Sequence, residues 1–143
     1  MPRLRRLTIA DYDSIVTLWE QASLPFKPKG RDSRSEIAQQ MKRTPDLFVG
    51  AFEGRELVGV GIGSCDGRKG WINRIAVDPD HRRRGTAQHL IGRIEAALRK
   101  RGARIICAFV ETSNPDSIAL FEMLGYVIHR DILYLSKRES EDI

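Results

Sequence analysis

"WINRIAVDPDHRRRGTAQHLI", Trp71 to Ile91, changes period in its middle, and that change decides the fold. Trp71 to Val77 is a short apolar run of strand type. From Ala87 onward Leu90, Ile91, Ile94, Ala97 and Leu98 fall three or four apart, the pattern of a helix with one apolar face. Between the two lie Arg82, Arg83 and Arg84 in a row, and then Gly85. A glycine at that point lets the chain turn tightly from strand into helix. The first N–H groups of a helix lack internal partners, point outward and, with the helix dipole, attract anions. Arginine adds charge and forked donors that match phosphate oxygens. The segment Arg82 to Ala87 is thus suited to holding a pyrophosphate, and small Gly85 and Ala87 let a ligand reach the backbone. A solvated basic turn with a glycine has the same residue types.

On the N-terminal side, Leu47 to Phe52, the turn "EGRE" and Leu57 to Ser64 predict a hairpin, and "DGRKG" turns into the strand from Trp71. Leu4 to Ile9 predicts a first strand. Thr8 or Asp11 can cap a helix that carries Ile15, Leu18 and Trp19 on one face. "LPFKPKGRDS" breaks that pattern as a basic loop. Ser33 and Glu36 form a capping-box pair that opens a second helix, through about Lys42. On the C-terminal side, Gly102 ends the long helix. "RIICAFV" predicts a strand buried on both faces, with Cys107 a buried thiol. "NPDSIALFEMLGY" predicts a short helix, with Pro115 in its first turn and Gly125 closing it. "YVIHRDILYLSK" predicts one or two closing strands, and residues 136–143 a loose tail. The order predicts one α+β domain over residues 1–143. Its sheet is mixed, mostly antiparallel, of about six to seven strands, and flanked by about four helices.

A chain of 143 residues with 41% hydrophobic residues can build one packed core. Its formal charge of +5 favours anionic partners without choosing among them. Cys65 and Cys107 form no CxxC pair, and His81, His89 and His129 do not cluster with them, so no metal site is expected. Sparse cysteine suits a reducing, cytoplasmic setting. The N-terminus turns polar and acidic too early for a signal peptide, and no apolar run approaches the roughly 20 residues that cross a bilayer, so no membrane partner is expected.

The segment "RRRGTA" fits the R/Q-x-x-G-x-G/A motif, and with the preceding "IAVDPDH" and the later Asn114 and "IALFEMLGY" it resembles the GNAT superfamily of N-acetyltransferases. The likeness covers Trp71 to Tyr126. It is similar above all to single-domain bacterial and archaeal members, including those that acetylate ribosomal-protein N-termini. The resemblance implies the GNAT fold and acetyl-coenzyme A as cosubstrate. It implies a strand that splays from its neighbour, so that the backbone of Ile75, Ala76 and Val77 pairs with the pantetheine arm. It implies that the amides of Arg82, Arg83, Arg84, Gly85, Thr86 and Ala87 hold the pyrophosphate. Asn114 matches an asparagine on the cofactor side, although an N-cap role fits it equally well. The closing strands, Tyr126 to Leu135, often pair across a homodimer in such proteins.

Acetyl transfer requires an amine that loses a proton, a polarised carbonyl, close positioning and protonation of the leaving thiolate. A strand N–H near Val77 is a candidate donor to the carbonyl. Members of the family often supply the acid as a tyrosine at the position of Phe121, which has no proton to give, so Phe121 reads as a packing or cofactor contact. The family's base positions fall on Asn73 and Phe109, and neither accepts a proton. Glu111, past the buried strand, is the candidate base, and Tyr126 the candidate acid. Tyr134 and His129 are further candidates, and water can also carry the protons. The acceptor is expected to enter beside the loop Pro25 to Arg34, where Lys27, Lys29, Arg31 and Arg34 favour an amine with a nearby carboxylate or phosphate. The leading expectation is an acetyl-coenzyme A-dependent N-acetyltransferase acting on a primary amine. A non-catalytic acyl-coenzyme A-binding regulator is the alternative. A nucleic-acid binder fits less well, because the arginines sit in one turn without a row of stacking aromatics.

Overall fold

Apolar side chains on both faces of the central strands force helices onto both sides of the sheet. A computed structural model describes residues 2–143. The strands are β1 (Arg3–Arg6), β2 (Phe48–Glu53), β3 (Glu56–Cys65), β4 (Gly70–Val77) and β5 (Ile106–Ala108). The helices are α1 (Tyr12–Gln21), α2 (Arg34–Arg43), α3 (Thr86–Lys100) and α4 (Pro115–Met123). One mixed sheet runs β1-β2-β3-β4-β5, antiparallel up to β4 and parallel between β4 and β5, which α3 connects.

The first layer joins Ile15, Leu18 and Trp19 of α1 and Ile37 and Met41 of α2 to Phe48, Val60, Ile62 and Ala76 of the sheet. The second joins Leu90, Ile91, Ile94 and Leu98 of α3 to Val49, Ile72 and Val77, with Phe121 of α4 beside them. Along β3 the sequence Gly59-Val-Gly-Ile-Gly63 alternates nothing with something. A Cβ on Gly61 would sit 2.6 Å from Ile94 Cδ1, and one on Gly59 3.0 Å from Leu90 Cδ1 and 3.1 Å from Thr86 Cγ2. The bare face of β3 therefore lets α3 approach closely. Ser33 caps α2, its hydroxyl accepting from the Glu36 amide at 3.3 Å.

Four expectations need correction. The sheet has five strands, because no strand forms between Tyr126 and Leu135 among the described residues. β5 is three residues long and offers that segment little ladder to pair with, so Val127, Leu133 and Leu135 stay exposed. β5 is also half-buried at the sheet edge instead of covered on both faces, which leaves Cys107 half-buried too. β1 ends at Arg6, and Ile9 already lies in a short 3-10 turn where Thr8 and Asp11 form the capping box. Residues 136–143 form no helix or strand, yet they lie on the basic loop. Lys27 Nζ donates to the Glu141 carbonyl at 2.7 Å, and Gly30 packs against the main chain of Asp142.

Two ion pairs tie the edges down. Arg5 Nη1 lies 3.0 Å from the Asp11 carboxylate, and Arg101 Nε donates to Asp46 at 2.9 Å. The arginine hydrogen bonds hold both carboxyls below their ordinary range. Groups with lowered folded values stabilise the fold above the unfolded value, near pH 4, and lose that contribution as pH falls through the folded value. Because these groups are partly exposed, each pair contributes well under about 1 kcal/mol. Asp46→Asn is expected to lower the melting temperature slightly at pH 7 and to have no effect near pH 2. Melting curves across that range check the sign.

Candidate active site

The sheet opens where the arginine turn begins. β4 pairs with β5 only through Gly70, Trp71 and Ile72, whose partners are Ile106, Cys107 and Ala108. From Asn73 to Val77 the β5-facing edge of β4 has no strand partner among the described residues, while its other edge continues along β3. Alternate residues of this stretch, Ile75 to Val77, thus turn main-chain groups toward the opening, while those between them face β3.

At the end of that edge the chain turns through Pro79–His81 into the loop. Asp78 locks the corner: its amide donates to the Val58 carbonyl at 2.8 Å, and its buried carboxylate accepts from the Asp80 amide at 2.9 Å. Arg82 folds back, Nε donating to the Val77 carbonyl at 3.3 Å. Arg83 has φ 64° and Gly85, the N-cap of α3, has φ 78°, both left-handed. Such a conformation strains a side chain like that of Arg83 by about 1 kcal/mol or more, and strain of this kind collects at ligand sites. Among the described residues no side chain caps the first amides of α3. Beside them the Thr86 hydroxyl, 3% exposed, has no hydrogen-bond partner among the described residues. Uncapped amides, a left-handed loop and an orphaned hydroxyl together fit the phosphates of a nucleotide cosubstrate. A cavity of about 520 Å³ touches this turn only at Gly85; it runs between α3 and Leu4 of β1, at the sheet edge opposite β5. The open β4 edge, not that cavity, is the place where main-chain groups and the turn converge.

The remaining expected residues lie on α4 and in the segments before and after it. Asn114 is the N-cap of α4, its side chain accepting from the Ser117 amide at 3.3 Å. Phe121 is buried against α3 and meets Tyr126 edge to face, centroids 4.9 Å apart. Glu111 is exposed in the loop between β5 and α4, its carbonyl accepting from the Asn114 amide. The Tyr126 hydroxyl donates to Glu95 of α3 at 2.6 Å. Burial first, and then that bond to Glu95, push the Tyr126 phenol well above its ordinary value. Tyr134 stacks on Phe109, which in turn packs on Trp71, and His129 is exposed.

Sequence reading missed one cluster. Arg74 of β4 donates to the Asp32 carboxylate at 2.8 Å and to the Pro25 carbonyl at 2.9 Å, with its guanidinium 4.8 Å from the Trp19 ring. Asp32 is 4% exposed and also accepts from the Lys27 amide at 2.6 Å. Burial pulls the Arg74 guanidinium below its ordinary value, with Asp32 opposing. The available signal was an arginine inside an apolar strand together with one lone acid inside a basic loop.

A mixed α+β sheet that opens between two parallel strands, with an anion-seeking turn at the mouth, defines the acyl-transfer class of GNAT folds. The chain belongs to the acetyltransferase (GNAT) family, whose model matches residues 12–126. It is similar to Acetyltransferase SG1711 of Sodalis glossinidius (strain morsitans), 36% identical over 132 residues that span 92% of each chain. Its fold is similar to PaiA N-acetyltransferase from Thermoplasma acidophilum, solved in complex with coenzyme A. There the TM-score is 0.77 at 15% identity, over 90% of this chain and 91% of that one. It is also similar in fold to the ribosomal-protein-S18-alanine N-acetyltransferase from Escherichia coli, with TM-score 0.69 at 23% identity, over 87% of this chain and 77% of that one. No helix among the described residues is long and apolar enough to cross a membrane, and no group of ligating side chains among them could hold a metal ion.

Proposed function

We propose that this protein moves an acetyl group from acetyl-coenzyme A to a primary amine by direct transfer in a ternary complex. The observation that carries the reading is the unpartnered edge of β4 running into the left-handed, uncapped turn at Gly85. On this reading the backbone of Ile75, Ala76 and Val77 lines the pantetheine arm. The amides of Arg82 to Ala87, with the Thr86 hydroxyl, hold the pyrophosphate. Asn114 and Phe121 border the cosubstrate from α4.

The amine nitrogen attacks the thioester carbonyl. A C–N bond forms, the C–S bond breaks and coenzyme A leaves as the thiolate. An N–H in the open edge near Val77 stabilises the charge on the carbonyl oxygen. The proton lost by nitrogen goes to Glu111 directly or through water, and the thiolate takes a proton in turn. Tyr126 can supply that proton only by leaving Glu95, so it first serves to hold the end of α4 against α3.

An amine screen that reads coenzyme A release tests the reading. Release is expected to require both acetyl-coenzyme A and amine. Glu111→Gln is expected to lower kcat about tenfold to a hundredfold with unchanged acetyl-coenzyme A affinity; an unchanged kcat would assign the base role to water. Tyr126→Phe is expected to cost about 1 kcal/mol of stability through the lost bond to Glu95. Tight acetyl-coenzyme A binding without turnover on any amine would favour a non-catalytic regulator.

A further inference from the structure

Two cavities lie end to end between α3 and the outer strand β1. The first, of about 520 Å³, is bounded by Leu4 on one side and by Gly85, His89, Gly92 and Arg93 on the other. The second, of about 420 Å³, is bounded by Arg6, Asp46 and the later turns of α3 as far as Arg101, and Arg93 borders both. The groove therefore follows β1 and α3 together. Its β1 side is an unused sheet edge. The Leu7 amide donates to the Phe48 carbonyl at 2.9 Å. Antiparallel pairing alternates, so Arg3 and Arg5 turn their main chain to β2, while Leu4 and Arg6 turn theirs outward. The Arg6 carbonyl takes Arg5 Nη1 at 2.9 Å, and the Leu4 amide and carbonyl and the Arg6 amide face a side where the sheet has no further strand among the described residues.

The charge of the groove has one sign. Asp46 is the only acid that lines it among the described residues, and Arg101 holds that carboxylate, Nε donating at 2.9 Å. Asp11, the acid nearest in sequence to β1, is held by Arg5. Arg6, Arg93 and Lys100 enter no ion pair among the described residues. The acidic tail packs on the loop at Lys27 and Gly30 and lines neither cavity. Gly92 is exposed in the middle of α3, where glycine is a poor helix former, and a Cβ there would meet nothing within 4 Å. The packing of this chain does not require that glycine, and its bareness widens the groove.

We propose that the groove between β1 and α3 is a docking site for an extended acidic segment of another protein, which adds to the free edge of β1 and sets its carboxylates against Arg6, Arg93 and Lys100. Strand addition at a free edge supplies main-chain bonds, and the cations select the partner's charge. Gly85 to Arg101 spans about 24 Å of helix, the length of about seven extended residues. The proposal concerns a partner rather than the acceptor amine, and it stands whether or not the acetyltransferase reading does.

The probe is a fluorescein-labelled eight-residue peptide that alternates glutamate and valine, titrated into the full chain by anisotropy. Saturable binding is expected, weakening as salt is raised, and a matched lysine–valine peptide is expected not to bind. Gly92→Leu puts a side chain into the groove and replaces glycine by a better helix former. Its melting temperature is expected to hold or rise while peptide affinity falls about tenfold or more. Arg93→Glu is expected to weaken the peptide by about tenfold through charge alone. Acetyl-coenzyme A affinity by calorimetry should not move in either variant. N-methylation of one alternate set of peptide amides is expected to abolish binding, and of the other set to be tolerated, because only one set faces β1. Equal tolerance of both sets overturns the strand addition. No binding by the acidic peptide, or unchanged affinity in both Gly92→Leu and Arg93→Glu, overturns the site. Displacement of the peptide by coenzyme A gives the groove to the cosubstrate and overturns it too.

Discussion

Gly85→Leu is expected to weaken acetyl-coenzyme A binding by about a hundredfold or more while leaving a folded protein. Gly85 caps α3 at φ 78°, in the left-handed region that side chains other than glycine's occupy only with strain. Its neighbour Arg83 is already strained there, at φ 64°. A leucine would push the loop toward another conformation and, on the proposed reading, would crowd the first amides of α3 where the phosphates are to bind. A hundredfold loss corresponds to roughly 2.7 kcal/mol, within reach of strain plus two or three lost charge-assisted hydrogen bonds. Calorimetry measures it, and circular dichroism confirms that the fold is kept. Affinity within a few-fold of wild type would sink the assignment of the turn. Arg82→Ala should cost much less, because its guanidinium is turned back onto the Val77 carbonyl.

Trp19→Ala is expected to produce the largest loss of stability. Trp19 is fully buried, packs 5.8 Å from the Phe26 ring and lies under the Arg74 guanidinium. Truncating a buried tryptophan costs about 3–5 kcal/mol, which lowers the melting temperature of a chain this size by roughly 10–20 °C. The indole N–H has no partner among the described residues, so Trp19→Phe forfeits no hydrogen bond and should cost far less. Thermal unfolding of the two variants checks this contrast; equal losses would contradict it. At temperatures where Trp19→Ala stays folded, acceptor KM should move more than acetyl-coenzyme A affinity, since the ring supports Arg74 and through it the loop at Pro25.

The readable parts of this fold were those in which local pattern and tertiary context agree. The change of period across Gly85 located β4, the turn and α3, because strand, glycine and one-faced helix each carry a local signature. Ser33 and Asn114 were legible as helix caps for the same reason, their partners being three residues away. The length and burial of β5 were not legible. "RIICAFV" is apolar enough for a central strand, but only pairing partners decide whether a strand is central, and β4 leaves β5 after three residues. The closing segment alternates like a strand and finds no ladder. In the candidate site, the turn was legible as chemistry along the chain. The contact between Arg74 and Asp32 joins residues 42 apart in sequence, and nothing local announces it.

The bare face of β3 has a further consequence. Each glycine within a strand weakens it by roughly 0.5–1 kcal/mol, so Gly59, Gly61 and Gly63 make β3 intrinsically poor at being a strand. In return, α3 is seated by backbone proximity, with the methyl of Thr86 at its first turn only 3.1 Å from where a Cβ on Gly59 would stand. The depth at which the turn presents its amides is therefore fixed from behind, by glycines that face α3. Drift at those positions would detune the site while every residue lining it stayed the same.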